Sequence, residues 1–168
     1  MDQSKPSGEK MIITSQEAED EALLNVARLM VAAVRTAPKA RGEDKIKAAI
    51  VTGNERIELA NKMEQMGKKR DSDNVRNSGA VVLIGVDFGD PTDDWANFKA
   101  KLIDLGIAIG SAVKIASELN VDNRVMHSVG LAAMKMELLK ADELQGIPIS
   151  IKGKNIFFDR KTPETVSP

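Results

Sequence analysis

Residues 80 to 86, AVVLIGV, form a nearly unbroken apolar run rich in β-branched side chains. A strand that is apolar at both odd and even positions has no face to offer to water, so it must be covered on both sides. Any fold for this chain therefore needs a sheet held between two layers of helices.

The flanking segments supply such layers. Thr14 and Glu17 have the spacing of a capping box, and Leu23, Val26, Ala27, Met30, Val34 and Ala37 recur three and four apart, which predicts a helix from about Ser15 to Ala37 stopped by Pro38. Residues 46 to 52, IKAAIVT, read as a strand feeding a second helix, about 55 to 66, capped by Asn54 and stopped at Gly67. KKRDSDNVRNSG reads as a loop with at most one helical turn. Asp90 and Pro91 predict a short helix through Trp95 and Phe98, and a separate apolar helix is expected over 102 to 119. Asp122 is expected to cap a further helix that turns Val125, Val129, Ala132, Met136 and Leu139 inward. GIPISIKGKNIFFDR reads as a terminal hairpin turning at Lys152, Gly153 and Lys154. Residues 1 to 12 read as a flexible arm and 13 to 168 as one domain.

Composition narrows the chemistry. No apolar stretch approaches the ~18 residues of a membrane span, and the polar start MDQSKPSGEK has no apolar signal region, so a soluble cytoplasmic protein without membrane contact is expected. There is no cysteine, which removes disulfides, thiolate nucleophiles and cysteine-held metal or iron-sulfur groups. A formal charge of −1 and only 3% aromatic residues argue against nucleic-acid binding. His127 is the sole histidine and has no partner for a metal site; Ser111 and Ser128 lack a nucleophile-elbow setting. Asp71, Asp73, Asp93 and Asp94 lack calcium-loop spacing, and neither glycine-rich nucleotide motif occurs.

Two features stand out. Gly106 and Gly110 lie four apart in the least polar helix, and glycine inside a helix costs about 0.5–1 kcal/mol relative to alanine. Close packing within the subunit, a subunit interface or contact with a flat ligand would each explain them. The second is positive charge at turns: Arg35, Lys39 and Arg41 around Pro38, then Lys152, Lys154 and Arg160 near the end of the chain. They are either solvated cations or, if the two groups converge, one phosphate site.

The segments RTAPKARG (35 to 42), DLGIAIGSAVK (104 to 114), NVDNRVM (120 to 126) and GIPISIKGKNIFFDR (146 to 160), in this order, resemble a family of uncharacterised archaeal and bacterial proteins containing a ferredoxin domain. The order of helix, A-P-x-x-R corner, strand, helix, apolar strand, D-x-G-x-A helix and G-x-P is similar to the flavin-dependent nitroreductases. The first family characteristically carries a cysteine-rich insertion before its D-L-G-I-A helix, and the segment GVDFGDPTDDWANFKAKLIDLG has none. Nitroreductases usually carry an R-x-S-x-R pattern before the first helix, and residues 1 to 14 contain no arginine.

The resemblance implies an α+β sandwich with a central, mainly antiparallel sheet and a two-fold homodimer holding FMN or a similar phosphate-bearing planar ligand at its interface. It assigns the ligand contacts to Arg35, Lys39, Arg41 and Arg160, and puts Gly106 and Gly110 on the helix that crosses the dimer. It implies an oxidoreductase without an iron-sulfur cluster; the alternative is a non-catalytic dimeric binding or assembly protein that has lost the cluster.

Overall fold

The computed structural model describes residues 12–90 and 95–159. The expected arm lies, except for Ile12, outside the described residues, as do Pro91 and Arg160. Four antiparallel strands form the sheet: β1 (Ile46–Val51), β2 (Ala80–Val86), β3 (Asp122–Asn123) and β4 (Glu143–Ser150), in the order β1-β2-β4-β3. Ile46 lies opposite Val86 and Val51 opposite Val81, while on the other side Val86 lies opposite Glu143 and Ala80 opposite Ile149.

Every residue of β2 is buried. Ala80, Val82, Ile84 and Val86 enter one core with α1 (Ser15–Thr36) and α4 (Trp95–Glu118). Val81 and Leu83 enter a second core with α2 (Gly53–Gln65), α3 (Lys69–Asn77) and α5 (His127–Lys135). The alternation of a strand thus splits one apolar run between two helix layers, and each fully buried Val, Leu or Ile contributes about 1.5–3 kcal/mol. The α+β class with an antiparallel sheet is as expected. No helix among the described residues is long and apolar enough to cross a membrane.

The capping box on α1 is formed: the Thr14 hydroxyl accepts from the Glu17 backbone N–H at 3.3 Å and Glu17 Oε2 accepts from the Thr14 N–H at 2.9 Å. Other boundaries differ from the sequence reading. α2 begins at Gly53, whose φ of +56° suits glycine, after Thr52 in the capping position, so Asn54 is not the cap. The expected loop at 68 to 79 contains the nine-residue α3, in which only Val75 is an apolar anchor. Polar ties hold it: Arg56 of α2 donates from Nη1 to the Val75 and Arg76 carbonyls, and Arg76 reaches Ser72, Asn61 and Glu64. Trp95 to Glu118 is one continuous helix where two were expected, with Trp95 stacked on Phe98 at 5.2 Å between centroids. Asp122 pairs with Ser150 in β3 and so starts no helix; α5 begins at His127.

The terminal hairpin does not form. Both edges of β4 are already taken, by β2 and by β3, leaving no edge for a returning strand. Residues 152–158 instead make bends and turns, where Asn155 Oδ1 accepts from the N–H groups of Phe157 and Phe158 and Phe157 is buried.

α5 lies close on β4: a Cβ at Gly130 would stand 1.7 Å from the Leu144 carbonyl oxygen. Gly130→Ala must push the helix off the strand, and a loss of about 1–3 kcal/mol in urea unfolding is expected. Unchanged stability in that measurement would show that the contact relaxes freely.

Candidate functional site

The corner after α1 is built by its own charges. Lys39 Nζ, with its side chain 6% exposed, donates to the carbonyls of Val34 (3.2 Å), Arg35 (2.8 Å) and Ala37 (2.7 Å), so its ammonium closes the C-terminus of the helix. Arg35 Nη1 pairs with Asp44 Oδ2 and donates to the Ile46 carbonyl at 3.3 Å. Arg41 is different: it is exposed, sits at φ +58° in the turn Ala40–Gly42, and makes no hydrogen bond or ion pair with the described residues. A left-handed conformation at a non-glycine residue costs of order 1 kcal/mol, and such strain persists where the surroundings enforce it.

Two residues that sequence reading passed over enforce it here. Asp104, buried on α4, accepts the Ala40 N–H on both carboxylate oxygens, at 2.9 and 3.1 Å. Lys101, one turn earlier and also buried, lies 3.6 Å from Glu43. Charged residues on the inward side of an otherwise apolar helix were the available signal.

Lys152 and Lys154 lie far from this corner. The corner adjoins Ile46, hence the Val86 and Glu143 end of the sheet, whereas residues 152–159 follow Ser150 at the opposite end of β4, about 23 Å away along the strand. Within one protomer Arg35, Lys39 and Arg41 do not converge with Lys152 and Lys154. Lys152 and Lys154 are exposed.

The terminal segment does form a cleft of about 760 Å³ against α3. Lys69, Arg70 and Asn74 line one side and Ile156, Phe157 and Phe158 the other, with Asp73 and Asp159 at the margins. The first turn of α3 has no side-chain cap, so its N–H groups add to the charge of Lys69 and Arg70. Asn74 is only 7% exposed and its Nδ2 has no partner among the described residues. Phe158 is exposed, with the Arg124 guanidinium 5.4 Å from its ring centre. The site therefore combines cations, helix N–H groups, an unused amide and aromatic surface, which suits a planar anionic ligand better than a metal.

On α4, Trp95, Ile103, Gly106, Ile107 and Gly110 are exposed at helical spacing, and a Cβ at either glycine meets nothing within 4 Å. Close packing inside the subunit is thus not what these glycines serve. His127 is a surface residue, its Nδ1 2.9 Å from Gln145 Nε2 and 3.5 Å from Glu143.

At Asp44 burial pushes the carboxyl up, but the Arg35 hydrogen bond, the Ile46 N–H and the charges of Arg35 and Lys39 outweigh it and hold it below its ordinary value. A depressed carboxyl stabilises the fold above its unfolded pKa, and that stability is lost as pH falls through the folded one. Asp44→Asn is expected to flatten the fall in melting temperature below about pH 4; an acid profile identical to that of the unsubstituted chain would contradict it.

Solved structures of similar fold are nitroreductases and related oxidoreductases. The nitroreductase-like family protein of Bacillus cereus matches 83% of this chain and 80% of its own at a TM-score of 0.62 and 13% identity. The NADPH:FMN oxidoreductase of Vibrio harveyi, solved with NAD+, matches 93% of this chain and 67% of its own, with a TM-score of 0.62 and 13% identity. The hypothetical oxidoreductase YcnD of Bacillus subtilis matches 78% at a TM-score of 0.60 and 16% identity, and this chain spans 58% of its length. The chain has a nitroreductase-like fold. An uncharacterized protein of Archaeoglobus fulgidus is 36% identical over 181 aligned positions, covering 89% of this chain and 98% of its own. Residues 96–160, which include Asp104, β4 and the terminal turn, match the family described as uncharacterized protein containing a ferredoxin domain, and this chain, although it has no cysteine, belongs to that family.

Proposed function

We propose that the protein is a homodimeric oxidoreductase of the nitroreductase type that binds FMN, or a closely similar phosphate-bearing planar ligand, at its subunit interface. The observation that carries this reading is the cleft of Lys69, Arg70, Asn74 and Phe158. Its basic residues and the free N–H groups of α3 suit the phosphate, Phe158 offers a surface for the ring system, and the unpaired Asn74 amide suits a ring carbonyl or nitrogen. Bound flavin would supply the hydride chemistry; the chain would hold, orient and shield it.

The stripe on α4 suits the dimer. Two copies crossing antiparallel at Gly106 and Gly110 would let the backbones approach, and Ile103 and Ile107 would be covered. Asp104 ties the corner to α4, and Ser117, further along the same helix, borders a surface depression that Phe158 also lines. A two-fold axis at the glycines would therefore bring the corner of one copy toward the terminal segment of the other. In this arrangement Arg41, strained and unpaired, is the corner residue left to reach the ligand, because Arg35 and Lys39 are engaged within their own protomer. Arg160 would join from the terminal segment.

Gly110→Leu is expected to keep or slightly raise the stability of the protomer, since leucine is the better helix former by up to about 1 kcal/mol, while light scattering shows the mass fall from dimer to monomer. A dimer that survives the substitution places the interface elsewhere. FMN titration followed by fluorescence quenching tests the ligand: Lys69→Ala and Arg41→Ala should each weaken binding by about tenfold with an unchanged melting temperature. Weakening by Lys69→Ala alone would leave the corner out of the site. A stable dimer that binds no FMN would instead support the non-catalytic assembly protein, a reading favoured by the absence of cysteine from a ferredoxin-domain family member.

A further inference from the structure

A second cleft, of about 610 Å³, lies where the start of α1 meets the ends of α3 and β4, and the flavin site makes no use of it. Gln16, Glu19 and Asp20 of α1 line it together with Arg56, Ser150 and Lys152. Arg56 Nη1 donates to the Val75 and Arg76 carbonyls at 2.8 and 2.5 Å, yet its Nε has no partner and no carboxylate among the described residues pairs with it. Partial burial pushes this guanidinium down from its ordinary value. Ser150 is only 1% exposed, and its hydroxyl is also without a partner among the described residues.

Buried donors are nearly always satisfied, and two residues lining this cleft each carry a buried donor that has no acceptor among the described residues. A small anion would satisfy them, with Lys152 adding positive potential. The acidic residues restrict which anion. Glu19 and Asp20 accept hydrogen bonds from Ser15 and Gln16 on their own helix and have no cationic partner among the described residues. They would repel a phosphate or a dicarboxylate and attract an ammonium group.

We infer that this cleft binds a small zwitterion of the α-amino-acid class, its carboxylate on Arg56 and Ser150 and its ammonium group toward Glu19 and Asp20. The site is independent of flavin binding, so neither the absence of FMN nor the loss of the dimer bears on it.

Calorimetric titration of the full chain with free α-amino acids one at a time, and with acetate, methylamine and inorganic phosphate as probes of single features, tests the inference. At least one amino acid should bind, with acetate, methylamine and phosphate at least about tenfold weaker. Ser150→Ala should weaken that amino acid by about tenfold without lowering the melting temperature, because it removes a hydroxyl that has no partner in the fold. Glu19→Gln should weaken it while narrowing the gap to acetate. Failure of every amino acid to bind, acetate or phosphate binding as tightly, or full affinity in Ser150→Ala would each overturn the inference.

Discussion

The fold depends on one strand having no polar face. Because β2 is apolar on both sides, α1 and α4 must cover one face of the sheet and α2, α3 and α5 the other, and β1 and β4 must flank it to satisfy its backbone. The two clefts follow from this. With both faces covered, the openings that remain along β4 lie where the strand ends and the chain must leave the sheet, and the clefts next to Ser150 and next to the turn that follows it are found there.

Charge at the corner has a different role from charge in the clefts. Lys39 and Arg35 satisfy carbonyls and a carboxylate of the corner itself and of the start of β1, and Asp104 holds the turn from a distant helix. Such groups stiffen a turn without offering anything to a ligand. Arg41, on the same turn, has the converse properties: a conformation fixed by its neighbours and a guanidinium free of them. Three cations that look equivalent in RTAPKARG are thus divided by geometry into two that build and one that projects.

Much of the architecture was legible in the sequence because it rests on periodicity. The α1 stripe, its capping box and the apolar run of β2 are local signals that packing reinforces. What escaped was set by tertiary bonds. α3 has a polar sequence and is held as a helix by Arg56 and Arg76; the hairpin failed because β3, two residues long and without any strand signal, occupies the edge it needed. The glycines were only partly legible. Packing within the subunit, a subunit interface and ligand contact all fitted Gly106 and Gly110, and their open surroundings remove the first, whereas Gly130, with no mark in its helix sequence, is pressed against a carbonyl. Of the candidate site, Lys69, Arg70 and Asn74 stayed hidden inside the supposed loop.

With β4 paired on both sides, residues 151–159 have no ladder to join. It is fastened by separate bonds: Asn155 Nδ2 to Asp122 at 2.9 Å, Arg124 to the Phe157 carbonyl at 3.3 Å, and the Asn155 turn itself. Each is replaceable without disturbing the register of the sheet. Among relatives, insertions, deletions and changes of specificity should therefore accumulate in this segment rather than in the strands, leaving one durable framework to serve ligands of different shape.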